Sequence, residues 1–306
     1  MKQRRILKKM KSHWQLYLFL VPTVLYFIIF RYVPMSGLLI TFKDYNAFQG
    51  IWDSPWVGMK HIIRFFETPD FLMVIGNTLK ISLLNLVAGF PIPIILALLL
   101  NQTRNLRFKK IVQTTIYAPH FISAVVIAGM VRLFTSPSSG IINTFIAAFG
   151  GEPIMFMANP EMFAPIYVIS EVWQNMGYSS IIYIAALSGV SPELHESAIV
   201  DGATVFQRIK FIDIPSIIPT IVIILIMNAG QILTVGYEKI YLLQNTLNRS
   251  GSEVISTYVY KQAFGATGLP NFSYASAVGF SQSIVSLTLL LIVNYIAGKY
   301  SETRLV

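Results

Sequence analysis

The sequence predicts an all-α, polytopic membrane protein with about six transmembrane helices. Three observations carry this. Of 306 residues, 54% are hydrophobic and only 12% charged, whereas an ordinary soluble domain carries roughly 25% charge. Several apolar runs approach the ~20 residues that cross a bilayer as helix. The basic residues sit in short stretches beside those runs, and mostly on one side of them.

In chain order, residues 1–15 carry Lys2, Arg4, Arg5, Lys8, Lys9 and Lys11 ahead of an apolar run from Leu16. No small-x-small cleavage site follows, so the run reads as a retained first span, 16–40, rather than a signal peptide. The stretch His61–Phe66 reads as a short amphipathic helix along the membrane interface. A second span, 72–100, contains Pro91 and Pro93, which should bend it. After the basic loop Asn101–Lys110, a third span covers 111–134 and contains Pro119. Residues 135–162 hold no Lys or Arg. A fourth span covers 163–187, a fifth 212–235 and a sixth 274–297. No repeat or soluble domain interrupts them, so the chain reads as one transmembrane domain, 1–306.

Orientation follows from counting. With the N-terminus inside, the inner segments (1–15, 101–111, 191–211, 298–306) hold 14 Lys and Arg in 56 residues, and the outer ones (31–71, 135–164, 236–273) hold 7 in 109. The positive-inside rule then makes both termini and residues 191–211 cytoplasmic, in a cell membrane. The net charge of +9 is thereby explained by topology. Without interleaved aromatic and basic residues outside the spans, nucleic acid is not an expected partner.

Several chemistries lack their residues. There is no cysteine, so thiolate metal sites and Cys nucleophiles are absent. His195-Glu196-Ser197-Ala198-Ile199 begins like a zinc-protease HExxH, but Ile199 stands where the second ligand must be. No GxSxG elbow and no GxxxxGK[ST] phosphate loop occur. The four histidines, at 13, 61, 120 and 195, neighbour no nucleophile. The chain is expected to be no enzyme, to hold no metal and to bind no cofactor of its own.

The most informative stretch is 191–215. Ser191-Pro192-Glu193 is a helix start, with a serine cap, proline at the first position and an acid against the dipole. Gly202 suits a left-handed helix end, and Thr204 with Gln207 forms a capping-box pattern that restarts a helix. Helix, sharp turn, helix and membrane are thus predicted in order, with Ile199, Val200 and Phe206 facing water. An ordinary solvated loop would need neither such caps nor such apolar residues.

This segment resembles the EAA loop of ABC-importer permeases, the inner-membrane components of binding-protein-dependent transport systems. Glu196-Ser197-Ala198 is followed after three residues by Gly202, and after nine more by Ile212-Asp213-Ile214-Pro215. Ser197 and Ile214 depart from the family's Ala and Leu. Asp201-Gly202-Ala203 matches the carbohydrate-uptake version. Asn77-Thr78, Gly140–Asn143 and Ala185–Leu187 fit the same class. Gly236–Ile240 with Thr257–Tyr260 resembles the LplB-type oligosaccharide permeases. The resemblance implies a type I ABC importer permease fold and an oligosaccharide substrate. It also implies three partners: a second permease subunit (a heterodimer), a cytoplasmic ATPase dimer that uses ATP and Mg, and an extracytoplasmic solute-binding protein. Glu196, Ala198, Asp201 and Gly202 become the ATPase-coupling residues.

Candidate pathway residues come from polar groups inside spans, where a charge costs roughly 2.5–3.5 kcal/mol on insertion scales. Glu171, Gln174, Asn175 and Tyr178 share one helical face of span four, with Trp173 beside them. Asn228 and Gln231 share a face of span five, and Gln282 points inward from span six. Amides, a carboxylate and aromatic rings suit sugar hydroxyls and sugar faces. The same groups would equally pack against a second membrane subunit. A self-sufficient secondary transporter or channel for a small polar solute is the alternative function; it usually shows repeated halves with broken helices, and no such symmetry is evident.

Overall fold

The computed structural model describes residues 14–265 and 268–300. The basic N-terminus up to residue 13 and the tail from 301 lie outside the described residues. The fold is helical. Among the described residues the β structure is a single isolated bridge, Lys43 to Trp56.

The described residues form two compact units, one within 14–66 and 262–280 and the other within 67–261 and 281–300. In the first, α1 (Trp14–Phe42) is apolar with no buried residue until Thr41, as a lipid-facing helix should be. Helix α2 (Lys60–Glu67) buries His61, Ile62 and Phe65. Ile63 and Phe66 of the same helix stay exposed, at 52% and 57%, so one side packs on protein while apolar side chains remain open on the other.

In the second unit, α3 (Phe71–Asn101) breaks at Phe90, where Pro91 and Pro93 remove amide donors as expected. Helices α4 (Leu106–Phe121) and α5 (Ala124–Phe134) are bent by 97°, so the third predicted span is not one straight rod. Helix α6 (Ile141–Ala148) follows. Its Asn143 is buried and bridges Ser136 O and Ile154 O at 3.0 Å each. Helix α7 (Pro160–Ser188) packs along both halves of α3. Gly177 is required there, because a Cβ would lie 2.0 Å from Ile116 O of α4; such small residues let membrane helices approach closely.

Then come α8 (Pro192–Val200) and α9 (Val205–Gly230). Helix α9 starts seven residues before the expected span and ends five earlier. The Thr204 box begins it, and residues 231–236 leave the helix. Helices α10 (Tyr237–Leu243), α11 (Ile255–Phe264) and α12 (Phe272–Tyr300) complete the chain. Asn77 donates to Ser250 O and Glu253 O, and Thr78 accepts from the Ile255 amide, which fastens α3 to the 249–255 segment.

By length and composition, α1, α3, α9 and α12 among the described residues can cross a membrane, and the bent α4–α5 pair makes a fifth when its two helices are taken as one span. Helix α7 is long enough at 29 residues but too polar for that set, because Glu171, Gln174, Asn175 and several serines punctuate it.

Candidate functional site: a polar cavity and a capped surface helix

A cavity of about 400 Å³ lies within the second unit. Helix α3 contributes Ser82 and Asn85, α7 contributes Glu171, Asn175 and Ser179, and the end of α9 contributes Asn228, Gln231 and Thr234. Residues 231–236 border it without regular structure, which a membrane tolerates where backbone lines a cavity. Gln282 of α12 donates to Leu233 O at 2.7 Å and so satisfies one of those freed carbonyls.

The polar face of α7 divides between two tasks. Glu171 and Asn175 line the cavity. Glu171 is ion-paired to Lys239 of α10 at 2.6 Å, and Lys239 is buried. Asn175 donates to Glu171 Oε1 at 2.7 Å, which turns its Oδ1 toward His120 Nδ1, 2.9 Å away. That orientation places the hydrogen of the imidazole on Nδ1. Gln174, one residue earlier and about 100° around the helix, is buried and donates instead to Ile122 O at 2.9 Å. Tyr178 stacks on His120 at 3.9 Å between ring centroids. Gln174 and Tyr178 therefore anchor the α4–α5 break, and Trp173 borders a separate apolar pocket with Ile127 and Ile169. Asn228 and Gln231 line the cavity as their spacing suggested, whereas Gln282 acts on its backbone. Lys239 and His120 were missed. Nothing near either in sequence signals a partner more than fifty residues away.

The second feature is α8 and its turn. Ser191 Oγ accepts from the Glu193 amide and Pro192 opens the helix. At the other end the Ala203 amide donates to Ala198 O at 2.8 Å and the Gly202 amide to Ile199 O at 3.0 Å. This is a Schellman closure, and Gly202 takes φ +79°. The Thr204 amide donates to Gln207 Oε1 while Thr204 Oγ1 accepts from the Gln207 amide, completing the box. Val200 and Phe206 stand 87% and 84% exposed. Glu196 and Asp201 are exposed and Ala198 half-buried, so the four predicted coupling residues share one short element.

Asp213, a variable position of the motif, is fully buried. It accepts from Asn101 at 3.3 Å and Gln102 at 2.7 Å, and His195 Nε2 of α8 lies 3.3 Å from it. One carboxylate thus ties the surface helix to the end of α3 and the start of α9. His195, which suggested a broken zinc motif in the sequence, serves this tie.

Residues 89–305 match the family described as binding-protein-dependent transport system inner membrane component. The chain belongs to this family. It is a membrane protein of the permease type, and two Bacillus subtilis (strain 168) relatives resemble it over nearly their whole lengths. The polygalacturonan/rhamnogalacturonan transport system permease protein YteP is 44% identical, over 98% of this chain and 93% of the relative. Protein LplB is 41% identical, over 96% and 92%. A chain in the crystal structure of a bacterial alginate ABC transporter, in complex with an alginate pentasaccharide-bound periplasmic protein, superposes with a TM-score of 0.88. It is 39% identical, with 98% of this permease and 100% of that chain covered. The type I ABC permease fold follows from that agreement.

Proposed function

We propose that this permease is one of two unlike transmembrane subunits of an ATP-driven oligosaccharide importer. It acts as a single transmembrane domain crossing the membrane six times, with α7 and the α4–α5 pair among the crossings and both termini in the cytoplasm. The density of Lys and Arg supports that orientation. An extracytoplasmic binding protein delivers the sugar, and a cytoplasmic ATPase dimer supplies ATP and Mg chemistry that this chain has no residues to perform. The names of the relatives support a sugar substrate, and the cavity's amides, hydroxyls and ion-paired carboxylate offer hydrogen bonds to one.

The observation that carries the reading is the capped helix with outward Val200 and Phe206, joined through His195 and Asp213 to α3 and α9. Closure of the ATPase would displace α8. The buried carboxylate would pass that displacement to two helices that line the cavity, so that it alternates between inner and outer openings. Glu196, Ala198, Asp201 and Gly202 would set the docking face, and Glu171, Asn175, Asn228 and Gln231 would face the sugar.

Mild-detergent purification from native membranes tests this. A second permease and an ATPase should co-purify, and the reconstituted assembly should take up oligosaccharide only with ATP and binding protein. Recovery of a homo-oligomer that transports under an ion gradient alone would favour a secondary transporter and defeat the proposal.

A further inference from the structure

A second polar pocket, of about 440 Å³, lies wholly within the first unit. Its wall combines Asp44, Asn46, His61, Asn271 and the rings of Tyr45 and Phe272. Asp44 is already neutralised: Lys60 Nζ lies 2.6 Å from Oδ2, and His61 Nε2 lies 2.8 Å from Oδ1. The pocket therefore has little net charge with which to hold a free ion. His61 is 4% exposed, and its Nδ1 has no hydrogen-bond partner, a costly condition for a buried nitrogen. Asn46 and Asn271 each use Oδ1 to accept a backbone amide, from Phe48 at 3.0 Å and Tyr274 at 2.9 Å. Their Nδ2 donors are left uncommitted.

We propose that this pocket is an extracytoplasmic sugar-binding subsite that holds one pyranose unit of the incoming chain. Two amide donors and a carboxylate with spare lone pairs match the mixed donors and acceptors of vicinal hydroxyls. Tyr45 and Phe272, edge to face at 6.1 Å, provide an apolar wall for ring C–H groups, and the volume lies in the range of small-molecule pockets. The proposal rests on the transport reading and its orientation, which put residues 31–71 and 236–273 outside.

The test uses the complete reconstituted complex without binding protein, and diazirine-bearing trisaccharides of glucose and of galacturonate as probes. Peptides containing 43–61 or 268–273 should be labelled by at least one probe, in competition with the unlabelled sugar. Asn46→Asp with Asn271→Asp keeps both Oδ1 caps and removes both donors; it should lower labelling at least tenfold while the complex still assembles. Asn46→Asp alone, should the pair fail to assemble, should lower it at least threefold. Label confined to residues lining the other cavity, or label unchanged in the variants, overturns the subsite. ATP-driven uptake by the wild-type complex is read separately, so failure of the transport reading is distinguishable from failure of this one.

Discussion

Replacing Gly202 separates two reasons why the turn after α8 needs glycine. Its φ is +79°, and a Cβ built there meets no atom within 4 Å. A side chain at 202 therefore costs backbone energy within this chain and causes no clash in it. For most L-residues the left-handed conformation costs about 1–2 kcal/mol, and asparagine visits it more readily. At about 1.4 kcal/mol per factor of ten, Gly202→Ala should lower the population of the closed turn by roughly 5- to 30-fold. Gly202→Asn should lower it less, by about threefold or under, and β-branched Gly202→Val should be the most severe. If docking to the ATPase requires the turn, ATP-driven uptake by proteoliposomes should fall in the order Gly, Asn, Ala, Val, at equal amounts of inserted protein. Asparagine is larger than alanine, so an ATPase pocket sensitive to volume would give the opposite order for those two. Alanine above asparagine would refute the backbone argument, and four equal rates would remove the turn from coupling altogether.

Three further outcomes follow from the geometry. Glu171→Gln leaves Lys239 buried without its counter-charge and should destabilise the unit by about 3–5 kcal/mol; the added substitution Lys239→Met should restore much of the loss in a thermal melt of the purified complex. Gly177→Ala drives a Cβ to 2.0 Å from Ile116 O, so α4 and α7 must separate, at a cost of about 1–3 kcal/mol or more, read as a lower melting temperature. The Lys60 ammonium beside Asp44 holds its carboxyl below the usual carboxylate range. Stability from that pair is present above the ordinary Asp pKa and is lost as pH falls through the lowered one. A carbon-13 titration of Asp44 should accordingly show a midpoint below the ordinary value, moved upward by Lys60→Met.

What the sequence made legible was local. Caps, prolines and a left-handed glycine act within five residues of themselves, so Ser191, Pro91, Gly202 and the Thr204–Gln207 box could be read before any tertiary structure. The α4–α5 bend was less legible although its signals were present: Pro119 followed by Ser123, which caps α5 by accepting from the Val126 amide. Apolar continuity across 111–134 masked that punctuation, because a membrane span and a bent pair have the same composition. The polar face of α7 was visible as a face, yet its function could not be divided by periodicity. Gln174 and Asn175 differ by a single residue step, and their roles differ because of what lies opposite them, a freed carbonyl at Ile122 for one and the cavity for the other.

The same limit explains Asp213. In sequence it is an unremarked position between Ile212 and Ile214, and burial alone makes it consequential. An unpaired carboxylate at zero exposure would be strongly unfavourable, so the carboxamides of Asn101 and Gln102 and the His195 ring must stay near it through any movement of α8. That requirement makes the surface helix, the end of α3 and the start of α9 one mechanical piece. Under the proposed coupling, motion applied at Val200 and Phe206 would have a short, polar route into the helices around the cavity. Asp213→Asn keeps the shape and one acceptor oxygen but removes the charge that holds His195. It should lower ATP-driven uptake while leaving ATPase co-purification intact. Loss of co-purification instead would place Asp213 in docking rather than in transmission.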